Sequence, residues 1–294
     1  MSFSSLLSGL RQINEEDLYE FLYDLYVDHA PPEKQHLGYV DKSRDLLQVT
    51  LPKSNIDLTI SQSLSGLSSG KETSSTGFIC WQSAIYMADW ILADSKCPFS
   101  QVFEPSSKLL VLELGAGVGG VLASVVGPKV GHYVASDQRH ILKLLKSNFA
   151  ENVVSLRYTS ATTDKADGGQ PKRTEDIEWS KIDFIEFDWE RRDIGTANFA
   201  LITGRNTPDI IIATDTIYNE YLIPHFVASL KAMMSDDSIA ILVVQLRDED
   251  IVERFLQEVY DQNLFLHAVP DHLLSRELLQ GFMVICITRI SVEL

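Results

Sequence analysis

The chain has 294 residues, 45% of them hydrophobic and 22% charged, close to the make-up of an ordinary globular protein, so wholesale disorder and a fibrous repeat are excluded. Lys and Arg number 25 against 41 Asp and Glu, a formal net charge of −16 at pH 7. Such a surface repels phosphates and anionic lipid, which disfavours direct nucleic-acid or membrane binding as the main task and suits a basic protein or a cationic ligand. In chain order, residues 15–29 predict an amphipathic helix, with Leu18, Phe21, Leu22, Leu25 and Tyr26 at helical spacing, closed by Pro31 and Pro32. Two β-like runs, 46–51 and 56–60, flank Pro52-Lys53-Ser54-Asn55 and predict a hairpin. Residues 61–76, rich in Ser, Gly and Thr, read as a mobile loop, and 81–93 as a helix.

A strand–helix alternation then begins. Residues 109–114 form a nearly continuous apolar run, as expected of a strand buried on both faces; a glycine-rich turn and a helix over 118–126 follow. Strand 132–136 precedes a helix over 141–150. Residues 160–180 read as a polar surface insertion. Strands are predicted at 182–187, 209–213 and 239–245, with helices at 222–234 and 251–261, and segments 264–269 and 282–288 as an antiparallel edge. The pattern argues for an α/β protein with a mostly parallel, doubly wound sheet. Residues 1–75 are expected to pack as helix, hairpin and loop on a main domain spanning 76–294. Such sheets bind ligands beyond the carboxyl ends of their strands, where strand order reverses.

The three cysteines, Cys80, Cys97 and Cys286, are odd in number and form no CxxC pair, which supports neither a disulfide framework nor a zinc ribbon and points to a reducing compartment. No basic segment precedes the short apolar stretch at the N-terminus, and no run approaches the roughly 18 apolar residues of a membrane span. The expectation is a soluble, cytoplasmic protein. No heptad pattern suggests a coiled coil, and a monomer is expected.

The sharpest local signal is Glu113-Leu114-Gly115-Ala116-Gly117-Val118-Gly119-Gly120, between a buried strand and a helix. Gly115 and Gly117 let backbone approach a ligand with no Cβ in the way. Asp137, at the end of the next strand, can accept both hydroxyls of a ribose. Gly115, Gly117 and Gly120 satisfy the G-x-G-x-x-G dinucleotide fingerprint. Gly115, Gly117 and Gly119 satisfy E-x-G-x-G-x-G, the pattern of S-adenosylmethionine-dependent methyltransferases. Glu113 favours the second, because a buried carboxylate suits the cationic methionine portion of that donor and suits a pyrophosphate poorly. A purely structural turn and a nicotinamide or flavin site stay open at this point. Asp188-Trp189, ending the third strand, can bound an adenine, or be no more than a half-buried tryptophan in an apolar layer. After the fourth strand, small Ala213 leaves room against the sheet. Asp215 and Tyr218, three apart, are placed to grip a substrate group, although Asp215 or Thr216 also fits a helix N-cap.

Together, Trp81, Glu113–Gly119, Asp137, Asp188-Trp189 and Asp215-Thr216-Ile217-Tyr218 resemble methyltransferase family 16, the seven-stranded protein-lysine methyltransferases with a D-x-x-Y motif. The resemblance spans roughly residues 76–290. The wording of 215–224 looks most like the fungal ribosomal-protein lysine methyltransferases. It implies a class I methyltransferase fold with an antiparallel last strand, S-adenosylmethionine as donor, S-adenosylhomocysteine as product, no metal, and a lysine of a basic protein, a large-subunit ribosomal protein, as acceptor. It also implies that Trp81, Gly115, Ala116 and Gly117 contact the donor, with Asp137 at the ribose, Trp189 beside the adenine and Ala213 in the pocket wall. Asp215 and Tyr218 would then meet the target lysine, Asp215 attracting its ammonium. His140 and His225 show no acid–base pairing and read as helix-face residues. The competing expectations are a nicotinamide-dependent oxidoreductase and a small-molecule methyltransferase.

Overall fold

A computed structural model of the protein describes residues 3–32, 37–68, 76–104, 108–153 and 181–291. The elements in chain order begin with α1 (Ser4–Leu7), β1 (Arg11–Ile13) and α2 (Leu18–Asp28). The hairpin β2 (Leu46–Leu51) and β3 (Ile56–Ser61) follows, then α3 (Leu64–Ser68) and α4 (Gln82–Ala93). The alternating part runs β4 (Leu110–Leu114), α5 (Val121–Val125), β5 (His132–Asp137), α6 (residues 142–153), β6 (Lys181–Glu186), α7 (Arg192–Thr203), β7 (Ile210–Thr214) and α8 (Ile223–Met233). It ends with β8 (Ile239–Gln245), α9 (Glu249–Asp261), β9 (Phe265–Ala268) and β10 (Phe282–Thr288).

Among the described residues, eight strands form one sheet in the order β1-β9-β10-β8-β7-β4-β5-β6. From β6 through β8 all neighbours are parallel, and β10 enters antiparallel between β8 and β9. The chain winds outward from β4 to β6, then returns to β7 on the other side of β4. That reversal places a crevice at the carboxyl ends of β4 and β7. Both strands are buried throughout, which is why they read as apolar runs without alternation. One sheet face carries the hairpin, α4 and α5 in an apolar layer that includes Leu51, Ile60, Trp90 and Leu122. The other carries α2, α7, α8 and α9, with Leu22, Phe199, Phe226 and Phe255.

Two asparagines explain how the hairpin is held. Asn148 and Asn152, one turn apart on α6, present their amides to the edge of β3 as another strand would. Asn148 Oδ1 accepts from Ser61 N at 2.9 Å and its Nδ2 donates to Ser61 O at 2.7 Å. Asn152 does the same to Thr59 at 2.8 and 3.0 Å. Asn148 Nδ2 also donates to Val118 O at 2.7 Å, fixing the glycine turn to the same helix. The hairpin turn is pinned by buried Asp89, whose Oδ1 accepts from Ser54 N at 2.8 Å and Oδ2 from Lys53 N at 2.9 Å.

Several expectations change. The two last strands are not the sheet edge, because β1 pairs antiparallel with β9 and covers it. The helix after the glycine turn has five residues, starting only past Gly120, whose φ is +53°. Helix α7 has Gly195 and Phe199 as its buried residues, too weak a stripe for periodicity to reveal. Gly195 is needed there, since a Cβ would lie 2.4 Å from the Phe187 ring. Of the Ser-rich stretch, 64–68 is helical; residues 69–75 and the whole of 160–180 lie outside the described residues. Among the described residues no helix is long and apolar enough to cross a membrane.

Candidate active site

A cleft of about 730 Å³, open solvent at its entrance included, lies where the carboxyl ends of the parallel strands meet the segment before α4. Its floor is the glycine turn. Gly115 N and Ala116 N both donate to Ser136 O at 3.0 Å, tying the turn to β5. Gly115 has φ +76°, and a Cβ there would lie 2.9 Å from Thr216 Cγ2 and 3.2 Å from Trp189 Cζ2. The bare backbone therefore lets Thr216 and Trp189 lie close against the turn. Gly117, at φ +60°, donates its N–H to Asp137 Oδ2 at 2.8 Å. A Cβ on it would meet nothing nearer than Gly77 O at 3.6 Å. The segment before α4 lies on this turn through Val118 N donating to Gly77 O at 2.9 Å.

Asp137 closes β5 at the cleft wall. Burial pushes its carboxyl up to about 6, against the pull of the Gly117 and Gln138 N–H donors and the nearby His140. Asp188 and Trp189 follow the end of β6 on the same wall. Asp188 accepts from Arg191 Nε at 3.1 Å and from Glu190 N at 3.2 Å. The Trp189 ring stands edge-on to Phe226, centroids 5.0 Å apart, so it serves the apolar layer and the cleft at once.

Asp215, past β7, is the most constrained side chain here. Its backbone is left-handed, φ +55°, and its N–H donates to Val243 O at 2.8 Å. Arg247, two residues beyond β8, meets the carboxylate with both Nη atoms, Nη1 to Oδ1 at 2.6 Å and Nη2 to Oδ2. Burial raises the Asp215 carboxyl above its ordinary value, and the arginine opposes that rise. Tyr218 lines the mouth. Trp81, at the start of α4, donates Nε1 to Thr76 O at 3.1 Å and lies under the Arg247 guanidinium, 5.1 Å from the ring centroid.

Eight residues expected from sequence thus line one cleft: Trp81, Gly115, Gly117, Asp137, Asp188, Trp189, Asp215 and Tyr218. Three do not. Glu113 is on the β4 face that points into the first apolar layer, where its carboxyl accepts from Tyr133 Oη at 2.9 Å. Burial there pushes it up to about 8, and it is not among the residues that line the cleft. Ala116 turns to the same layer. Ala213 is fully buried in the opposite layer, because side chains alternate along β7 and its neighbours Ile212 and Thr214 point the other way. His225 lies on α8 as expected; His140 lies in the turn before α6, 5.3 Å from the Phe78 ring, not on a helix face.

Lining residues not expected from the sequence include Arg247, Thr214, Thr216, Gln138, Leu222 and the 76–77 segment. Arg247 carried one signal: it follows the end of a parallel strand, where site residues collect.

The seven strands from β9 to β6, with β10 alone reversed among them, and a glycine turn at the switch point define the class I methyltransferase fold. Residues 58–185 match the lysine methyltransferase family model. The chain is 31% identical over 242 residues to a ribosomal lysine N-methyltransferase 5 from Zygosaccharomyces rouxii, covering 75% of this chain and 76% of that one. It is 29% identical over 304 residues to the protein of that name from Lachancea thermotolerans, covering 85% and 90%. Among solved structures, a ribosomal protein L11 methylase from Lactobacillus delbrueckii superposes with a TM-score of 0.42 at 13% identity, over 71% of this chain and 79% of that one; that likeness bears on neither activity nor substrate. The chain belongs to the lysine methyltransferase family, and the oxidoreductase reading is set aside.

Proposed function

We propose that this lysine methyltransferase transfers a methyl group from S-adenosylmethionine to a lysine side chain of a ribosomal protein, one of the large subunit. The observation that carries the reading is the joining, in one cleft, of the glycine turn with Asp137 on one side and Asp215 with Tyr218 on the other. The cleft lining fits a nucleoside with an amino-acid tail: a Cβ on Gly115 would crowd the floor against Thr216 and Trp189, the Asp137 carboxylate would hold the ribose hydroxyls, and the Trp189 ring would flank the base.

Bound there, the donor supplies a methyl already activated on a sulfonium. The chain's own residues then have two tasks. The first is alignment. The turn, Asp137 and Trp189 hold one partner while Tyr218 walls the channel for the other, and orientation of this kind contributes roughly 7–11 kcal/mol. The second is the proton. A lysine amine has a reference value of about 10.4 and arrives as the ammonium, so its proton must leave before the lone pair can attack. Neither His140 nor His225 is among the residues lining the cleft, and the proton is assigned to water. The ribosomal acceptor is supported by the names of the relatives and by the charge of −16, which attracts a lysine-rich protein.

The test is incubation with labelled donor and an extract lacking the enzyme, followed by mass spectrometry of the labelled band. Methyl-lysine in a large-subunit ribosomal protein is expected. Label on a small molecule or on another amino acid refutes the reading. In parallel, S-adenosylhomocysteine should raise the melting temperature and nicotinamide dinucleotides should not.

A further inference from the structure

The guanidinium of Arg247 is held from four parts of the chain. It meets both carboxylate oxygens of Asp215. It donates to the Leu37 carbonyl through Nε at 2.9 Å and Nη2 at 2.7 Å, and to Gln245 Oε1 at 3.0 Å. Trp81 covers one of its faces. The Asp215 side chain is 1% exposed and that of Arg247 17%, so the arginine stands between the acid and the solvent. A planar fork matched to a carboxylate in this way is among the stronger ion-pair geometries. It is far from a loose surface pair.

This arrangement bears on the lysine. An acid whose two oxygens are already paired does not offer a full negative charge to an incoming ammonium. We propose that Arg247 is a positioning residue for methyl transfer: by pairing with Asp215 it makes that end of the cleft electrically neutral, so the cleft takes the lysine as the free amine. The inference rests on the lysine reading above and revises the part given to Asp215, which orients the amine without drawing in its charged form. Among the described residues lining the cleft, Arg247 is the only lysine or arginine. The other charged or titratable groups facing the same space are accounted for. Asp137 is held by two backbone N–H donors and Asp188 by Arg191. Tyr218 is at the mouth. Asp248 and Glu249 continue the chain beyond Arg247 on the exposed side.

The charge argument has a sign that structural damage does not imitate. Without the arginine, the remaining pair of acid and amine holds its proton to higher pH, whichever partner carries it. Without the acid, the arginine is an unpaired cation beside the amine and favours proton loss. The test is the pH profile of single-turnover methyl transfer from pH 6 to 10, with large-subunit ribosomal proteins extracted in acid as the probe. Full-length wild type, Arg247→Gln, Arg247→Lys and Asp215→Asn are compared, and S-adenosylhomocysteine affinity is measured by calorimetry for each.

Expected are an acidic limb in the wild type, an upward move of its midpoint by about one unit in Arg247→Gln, and a downward move in Asp215→Asn. Arg247→Lys should hold the wild-type midpoint with a lower plateau, since it keeps the charge and loses the fork. Donor affinity should change by no more than about threefold in Arg247→Gln. A flat wild-type profile, shifts of the same sign in the Gln and Asn variants, or a uniform loss at every pH overturns the proposal. Should Arg247→Gln fail to fold, the Asp215→Asn and Arg247→Lys profiles decide by themselves. If the wild type binds the homocysteine product but makes no methyl-lysine in the probe, the lysine reading itself has failed. Methyl-lysine with a midpoint indifferent to Arg247 sinks only the present inference.

Discussion

Gly117 gives the sharpest test of where the donor sits. Its φ of +60° is a backbone that any other residue adopts at a cost of about 1–2 kcal/mol. A Cβ there finds only Gly77 O, at an ordinary contact distance of 3.6 Å, so no collision adds to that strain. At Gly115, by contrast, an added Cβ would press on Thr216 and Trp189 at 2.9 and 3.2 Å, and loss of binding would be entangled with disruption of the walls. Gly117→Ala should therefore lower the melting temperature by about 2–6 °C, from roughly 2–4 °C per kcal/mol in a domain somewhat smaller than this one. Gly117→Arg carries the same backbone strain and sends a long cationic side chain into the cleft that Gly117 lines. Its melting temperature should match that of the alanine variant. Its affinity for S-adenosylhomocysteine should fall at least about 100-fold, or about 2.8 kcal/mol. Calorimetric titration beside a thermal melt separates the two effects. A folded Gly117→Arg protein that binds with wild-type affinity would show that the donor does not lie over this turn.

Asp215→Asn leaves Arg247 a buried cation without its counter-charge, so unfolding free energy in urea should drop by about 3 kcal/mol and turnover should fall much further than donor affinity; intact turnover on the ribosomal probe would count against any role at the acceptor. Glu113 makes a pH-dependent prediction. Its carboxyl rises to about 8 in the folded chain against 4.5 as its ordinary value, so the folded state holds an extra proton between those limits and stability falls as pH rises through them. Glu113→Gln removes that penalty, and its melting temperature should gain on the wild type progressively from pH 5 to pH 8; a constant difference across that range would mean that Glu113 is ionised in the fold.

How much of this was legible in the sequence depended on how far each signal reached along the chain. The central parallel strands β4, β7 and β8 were readable because burial on both faces leaves apolar runs such as Ile239–Gln245. The glycine turn was readable because φ above zero selects glycine. The sequence misses fall where structure is decided at a distance. Three residues at Arg11–Ile13 carry no period, and only pairing with β9 makes them a strand. Glu113 was read as facing a ligand because it ends a strand beside the turn, but the pleat sends it to Tyr133. The same alternation places Ala213 in the opposite apolar layer. Arg247 lies 32 residues after Asp215, and nothing local connects them until β7 and β8 lie side by side.

The strongly acidic surface and the neutralised cleft end act at different ranges, and this separates two steps usually measured together. Exposed Glu20, Asp24 and Asp28 on α2, with Asp248, Glu249 and Asp250 at the start of α9, belong to a field that reaches about 8 Å at physiological ionic strength and is cut to about 3 Å in 1 M salt. A basic protein is drawn in by that field, so its association rate should fall steeply as salt rises. The pair of Asp215 and Arg247 is buried and close, and salt screens it little. Methyl transfer from the assembled complex should then keep its rate over the same salt range. Stopped-flow association and single-turnover transfer, each taken from low to high salt, measure the two steps apart. Equal salt sensitivity in both would mean that the acids outside the cleft also set the chemistry within it. An association rate indifferent to salt would mean that the net charge plays no part in finding the substrate.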